Sequence, residues 1–229
     1  HPFLQKSRSD KKAVILITSN RGLAGGYNSN AVKLLTKDER FTTENTVVYA
    51  VGTKGRDSVE REGYTIAGDY SEAINEPLYA DASEIGKEVL SKFTMGEIGE
   101  IYLIYTIFKN TMVQIPTMMK LLPINASDIT ADAEDVEENP IDRITLMNYE
   151  PAPEEALNAI IPKYVNSLIF GGLVESHASE NGARMQAMDS ATSNAEEMIS
   201  DLSLKYNRAR QASITQELTE IIAGASAIS

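Results

Sequence analysis

The residues best placed for chemistry are Thr18-Ser19-Asn20-Arg21-Gly22-Leu23-Ala24-Gly25-Gly26-Tyr27-Asn28. They follow an apolar run and precede a helical pattern, where backbone N–H groups and a helix N-terminus cradle phosphate in nucleotide-binding folds. The spacing does not complete that chemistry. The glycines do not fall at G-x-G-x-x-G, and no Lys-Ser/Thr pair follows them as in a Walker A loop. A turn that lets helix and strand pack closely is the favoured reading, with a nucleotide site as the alternative. Nucleophilic and metal chemistry have still less material. The chain has no cysteine, which removes disulfides, thiolate nucleophiles and Cys-type zinc sites, and its two histidines are His1, at the chain end, and His177. His177 and Glu180 stand at i, i+3 on a helix and could share a metal, but no further His or Cys joins them, so a surface histidine is expected. Between Ser127 and Arg143 seven carboxylates face one basic residue. A calcium loop would need the turn glycine and terminal glutamate of an EF-hand, and neither is present, so this stretch reads as a solvated loop. The sequence therefore assigns no catalytic, cofactor or metal residue.

Elements that could position these residues are constrained first by size and charge. At ~150 residues per domain, 229 residues make one domain plus an appendage. A hydrophobic share of 42% with 24% charged residues is a globular balance. Lys and Arg number 21 against 33 Asp and Glu, a formal net charge of −12, the wrong sign for a general nucleic-acid binder. No apolar run reads as a membrane span or a signal peptide, so a cytosol-facing chain is expected. The opening His1-Pro2-Phe3-Leu4 resembles the interior of a longer protein, and a fragment is expected.

Lys12 to Thr18 and Thr46 to Val51 are continuous β-branched apolar runs, as in parallel strands buried on both faces. A short helix capped by Asn28 or Asn30 and ending near Lys37 joins them as a βαβ unit. Lys54 to Glu62 reads as a polar helix. Ser71 or Asn75 opens a longer helix ending near Phe93, and Glu100 to Phe108 is a further strand. Val113 to Ile124 is strand-like, with Pro116 confining it to an edge or bulge, and Ile144 to Asn148 is a last short strand. The alternation predicts an α/β fold, a Rossmann-like domain with a mostly parallel sheet over residues 1–152. From Pro153 to the C-terminus a single long helix is expected, about 100 Å at ~1.5 Å per residue and wider than any one globular core. Pro162 should mark its start or a kink, and Gly171, Gly172 and Gly182 should be weak points.

Along that helix Met185, Met188, Thr192, Ala195, Ile199, Leu202, Tyr206, Ala209 and Ser213 recur at alternating spacings of three and four. This 3.5-residue period is a coiled-coil seam and demands a partner helix, while Glu196, Glu197, Asp201, Lys205 and Arg208 form solvated flanks. A core helix packed on the α/β domain is the alternative. Ile214, Leu218, Ile221 and Ile222 make the tip apolar on more than one side, as for a rod end entering a sleeve.

Two stretches together resemble one family, the gamma subunit (central rotor stalk) of F-type ATP synthases. Ser19 to Asn28 is similar to that family's S-[DN]-R-G-L-[CA]-G-G-[FY]-N stretch. Ala183-Arg184-Met185-Gln186-Ala187-Met188 and Arg208-Ala209-Arg210-Gln211-Ala212-Ser213-Ile214-Thr215-Gln216-Glu217-Leu218-Thr219-Glu220-Ile221 are close to its C-terminal signature. The resemblance covers essentially the whole chain. It implies an α/β domain set between two long helices that form an antiparallel coiled coil, the first lying before His1, with residues 153–229 as the second helix, the rotor shaft. Ala24 stands where many members carry Cys, and Gly171, Gly172, Asn181 and Gly182 are weak helix formers at which part of the rod should bend.

The resemblance further implies a non-catalytic shaft in the F1 sector, without cofactor, turning inside a hexamer of alternating alpha and beta subunits and coupling proton flow through a membrane ring to ATP synthesis or hydrolysis. By similarity, Arg184, Arg210, Gln211 and Thr215 touch the beta subunits. Tyr149-Glu150-Pro151 is similar to the family's foot, which puts Glu150 near the epsilon subunit and the membrane c-ring. The implied location is peripheral, on the cytoplasmic face of the bacterial plasma membrane or the equivalent face of an energy-transducing organelle membrane. Two other functions remain: a nucleotide-binding α/β enzyme with a helical tail, and a homodimeric coiled-coil adaptor that self-associates through the seam. The first makes a direct prediction. If the Gly22 turn is structural, calorimetric titration of the chain with Mg-ATP is flat, whereas a saturable signal abolished by a bulky substitution at Gly25 would establish a nucleotide site.

Overall fold

The computed structural model describes residues 3, 9–124 and 153–226. The acidic stretch of 127–143, the expected strand of 144–148 and Glu150 lie outside the described residues. Two compact units divide the chain, His1–Gln186 and Ala187–Ser229.

In the first unit, five strands form one sheet in the order β3-β2-β1-β4-β5. They are β1 (Lys12–Ile17), β2 (Thr46–Val51), β3 (Thr65–Asp69), β4 (Glu100–Asn110) and β5 (Val113–Leu122). β1 runs parallel to β2 and β4, β2 parallel to β3, and β5 antiparallel to β4. The helices are α1 (Tyr27–Thr36), α2 (Thr53–Arg61), α3 (Tyr79–Thr94) and α4 (Pro153–Ser226). The α/β fold with a mostly parallel sheet is thus as its pattern indicates. Alternation along β1 shows why both faces need cover: Ala13, Ile15 and Ile17 enter one core with residues of α3 and α4, while Val14 and Leu16 enter another with residues of α1 and α2.

Several local expectations change. β3 was not foreseen, because a five-residue edge strand reading Thr-Ile-Ala-Gly-Asp has exposed ends and no apolar run. The helix expected from Ser71 or Asn75 is instead a 3-10 turn (Ser71–Ile74) followed by a separate α3. Pro77 restricts the residue before it to extended backbone and so splits the two, and α3 starts where the Asp81 carboxylate accepts the Leu78 N–H at 3.3 Å. Neither Asn28 nor Asn30 caps α1; its N-cap is Gly26, with no side-chain hydrogen bond. Pro116 does lie on the edge strand of the described sheet, paired with Thr106, where among the described residues no further strand needs its missing N–H.

α4 is unbroken from Pro153 to Ser226, and Pro162 lies well inside it rather than at its start. Gly172 and Gly182 are not weak points but contact points. A Cβ at Gly172 would stand 3.1 Å from Leu103 and 3.4 Å from Ile17, and one at Gly182 3.2 Å from Phe108 and 3.3 Å from Gln114. These glycines let the helix backbone approach the sheet. Ile161, Val165, Ile169 and Leu173 follow them into the core. By length and composition alone α4 contains a stretch able to cross a membrane, which the sequence reading had missed; the four residues just named are turned onto the sheet instead.

Gly52 carries the sharpest backbone demand. Its φ is +104°, and a Cβ there would lie 2.3 Å from the Thr18 carbonyl oxygen. Gly52→Ala is expected to destabilise the fold by about 2–4 kcal/mol through strain and a backbone clash. Gly171, mid-helix with open space around it, provides the opposite case. Gly171→Ala should stabilise by ~0.5–1 kcal/mol through helix propensity, and urea denaturation midpoints of the two variants check both signs.

Candidate interaction surfaces

The Gly-rich turn is built by hydrogen bonds that consume its own polar groups. Thr18, at the end of β1 and fully buried, accepts the Gly55 N–H on Oγ1 at 2.9 Å and directs its hydroxyl toward the carbonyls of Val51 and Gly52. The Ser19 N–H donates to Asn28 Oδ1 at 2.9 Å, Asn28 Nδ2 returns a bond to Ser19 Oγ at 2.8 Å, and the Ser19 hydroxyl donates to the Arg21 carbonyl at 2.6 Å. Asn20 accepts the Thr53 N–H on Oδ1 and donates through Nδ2 to the Ser71 carbonyl at 2.7 Å. Asn28 thus closes the turn from the first turn of α1. Asn20 joins the starts of α2 and the 3-10 turn to the end of β1. The side chains that would have to face a ligand at this strand end are holding the loop to itself.

Two residues of the turn have positive φ, Leu23 (63°) and Gly25 (56°). A leucine in the left-handed region is strained, and Leu23 is also 75% exposed. The turn therefore projects an apolar side chain outward on a tightly tied base.

α4 meets this turn through Arg184. Its Nη2 lies 2.6 Å from Glu180 Oε1 and 3.4 Å from the Gly22 carbonyl oxygen. Glu180 is 7% exposed, so the ion pair is charge-assisted and partly desolvated rather than a solvated flank pair. His177 turns elsewhere: the ring Nδ1–H meets the Ile74 carbonyl at 2.9 Å, and the side chain is half-buried rather than on the surface. His177 and Glu180, the conceivable metal pair, serve two different partners. Among the described residues no group of three or more His, Cys, Asp or Glu is arranged to hold a metal.

Two buried polar residues of α4, Ser176 and Ser179, escaped the sequence reading, as did the role of Tyr27 beside them. Ser176 Oγ accepts the Thr106 N–H at 3.1 Å, Ser179 Oγ donates to the Thr106 carbonyl at 3.0 Å, and the Tyr27 hydroxyl donates to the Ser176 carbonyl at 3.1 Å. Both serines are fully buried. Burial raises the Tyr27 phenol well above its ordinary value, a shift that the neighbouring Glu180 reinforces, so the hydroxyl remains a donor through the physiological range. The available signal was the Ser-x-x-Ser spacing, which puts two hydroxyls on one face of a helix whose preceding turns are apolar.

In the second unit every residue of α4 from Met188 to Ser226 is exposed. The large apolar side chains Ile199, Leu202, Tyr206, Ile214, Leu218, Ile221 and Ile222 are each at least half exposed. Arg210, Gln211 and Thr215 are exposed on the same stretch. In the first unit, Arg184 is the candidate contact residue that lies beside the Gly22 turn, among the described residues.

With these surfaces in view, comparison with known proteins is informative. The sequence matches the ATP synthase family over residues 1–228. It is similar to the ATP synthase gamma chain of Lachnoclostridium phytofermentans, 64% identical over 228 residues that cover 100% of this chain and 78% of that protein. It is 44% identical over 236 residues to the sodium ion specific ATP synthase gamma chain of Acetobacterium woodii, covering 99% of this chain and 78% of that one. In fold it resembles a chain of the Euglena gracilis mitochondrial ATP synthase, solved by cryo-EM as OSCP/F1/c-ring, with a TM-score of 0.67 and 21% identity over 97% of this chain and 74% of that chain. The chain therefore belongs to the family of ATP synthase gamma chains, the non-catalytic central-stalk subunit of the rotary F-type enzyme.

Proposed function

We propose that α4 beyond Gln186 is the part of the shaft that turns within the alpha and beta subunits, and that Arg210, Gln211 and Thr215 meet the beta subunits there. The observation that carries this reading is the unbroken exposure of α4 from Met188 to Ser226 together with the large apolar residues along it. Such a surface has no cover within the described residues and gains stability only from a surrounding partner. A shaft that favours different conformations of identical subunits at different angles needs a few directional contacts, and an arginine fork supplies them. Arg184 belongs to the same set. One of its nitrogens is engaged by Glu180 and the Gly22 carbonyl, and a guanidinium carries further N–H donors with which to meet a beta subunit. By the family resemblance alone, Glu150 is assigned to the epsilon subunit and the membrane ring as partners, and proton flow through that ring is what the shaft couples to ATP synthesis and hydrolysis. As part of a membrane-associated complex, the chain sits peripherally at the cytoplasmic face of the bacterial plasma membrane or the equivalent organelle face.

In the complete complex, Arg210→Ala or Gln211→Ala should slow coupled turnover about tenfold or more. An interfacial charge-assisted hydrogen bond is worth ~1.5–3 kcal/mol, and the loss appears in rate when the contact is made in one rotary state. Reconstituted ATP synthesis and hydrolysis rates check this, and wild-type rates in both variants would return these residues to solvated flank.

The same exposed stripe favours a second behaviour for the isolated chain. Met188, Ala195, Leu202 and Ala209 lie on one seam, and two copies can bury it against each other. Hydrogen exchange across 187–226 should then show protection that falls on dilution, because association depends on protomer concentration. Strong, concentration-independent protection in a demonstrated monomer would mean that this helix finds its cover on its own chain.

A further inference from the structure

Apolar burial holds α4 to the sheet without fixing its rotation. The contacts of Ile161, Val165, Ile169 and Leu173 are non-directional, so a helix seated on them alone twists or slides at small cost. Directional contacts are concentrated on the turn where α4 leaves this core. The β1–β4 ladder stops at Leu16 and Ile104. Two residues further along β4, the Thr106 N–H and C=O are held by the hydroxyls of Ser176 and Ser179, and the Tyr27 hydroxyl from α1 holds the Ser176 carbonyl. All three bonds are buried, so none exchanges with water without leaving a costly orphan. A twist of about 10° moves an atom ~5 Å from a helix axis by ~0.9 Å. A displacement of that size takes a ~3 Å hydrogen bond outside its working range.

We propose that Ser176 and Ser179, with Tyr27, form a torsional clamp that carries torque between α4 and the α/β unit. The proposal rests on the shaft reading above and adds to it the residues at which rotation of the helix becomes rotation of the sheet. They are positioning residues: they touch neither nucleotide nor a catalytic subunit. Because each arm ends on a main-chain group of β4 or of α4 itself, the clamp grips backbone to backbone and has little slack.

The test uses the assembled complex with its complete gamma chain, the catalytic subunits fixed to a surface and a bead attached to the α/β unit. The thermal angular fluctuation of the bead in a stalled state reads the torsional stiffness. Ser176→Ala/Ser179→Ala leaves the Tyr27, His177, Asn166 and Arg184 contacts in place and should broaden the angular variance about 1.5-fold, since each hydrogen bond restrains by its own short range. Unloaded ATP hydrolysis should stay at the unsubstituted rate. Tyr27→Phe keeps the ring and its burial, should broaden the variance by a smaller factor, and decides the matter if the double variant fails to assemble. A variance equal to that of the unsubstituted complex in a folded, assembled variant would overturn the clamp while leaving the shaft intact. A bead that does not turn with ATP even on the unsubstituted chain would overturn the shaft reading and the clamp with it.

Discussion

Buried backbone groups must be paired, and β4 is longer than the strand beside it. Where the ladder with β1 ends, the N–H and C=O of Thr106 still lie in the core, and leaving them unpaired would cost about 1–3 kcal/mol each. Ser176 and Ser179 discharge that obligation from α4. The consequence spreads. Once these two hydroxyls have a fixed target, the axial position and rotation of α4 are set, so that Gly172 and Gly182 fall where the sheet and hairpin approach most closely, and Arg184 falls beside the Gly22 carbonyl.

The Gly-rich turn shows how one location in an α/β fold can be put to a different use. The ends of parallel strands next to helix N-termini collect unpaired N–H groups, which is why phosphates bind there. Here Asn20 and Thr18 accept the Thr53 and Gly55 N–H groups at the start of α2, Asn28 accepts the Ser19 N–H, and the turn ties β1 to α1, α2 and the 3-10 turn. From that tied base the turn projects Leu23 outward.

Function in this family member follows from two kinds of bonding on one helix. Through Gln186, α4 has directional contacts: buried ones from hydroxyl to backbone, and partly exposed ones from arginine to carboxylate and carbonyl. Beyond it, α4 offers exposed apolar side chains with intermittent charge, and side-chain hydrogen bonds there join neighbouring turns, as between Gln216 and Glu220. The first kind resists displacement and the second permits a partner to pass. A non-catalytic rotary subunit needs both.

Much was legible in the sequence because it depends on local pattern. The buried strands β1, β2 and β4 declare themselves by continuous β-branched runs, α4 by the absence of any stop signal, and the family by the Ser19 to Asn28 and Arg208 to Ile221 stretches. What stayed illegible depends on partners distant in the chain. The edge strand β3 is stabilised by β2 rather than by its own composition, and Asn28 looks like a cap until Ser19 is found opposite it. Gly172 and Gly182 look like breaks in a helix until Leu103 and Phe108 are seen to need the space. Ser176 and Ser179 read as ordinary polar residues because their meaning is an unpaired carbonyl and amide 73 and 70 residues away. Periodicity and turn chemistry are written in neighbouring residues, so the sequence by itself determined the buried strands, the long helix and the family. Which polar groups lie buried and without a ladder partner is a property of strand lengths and packing, so only the tertiary structure decided what locks the helix in place.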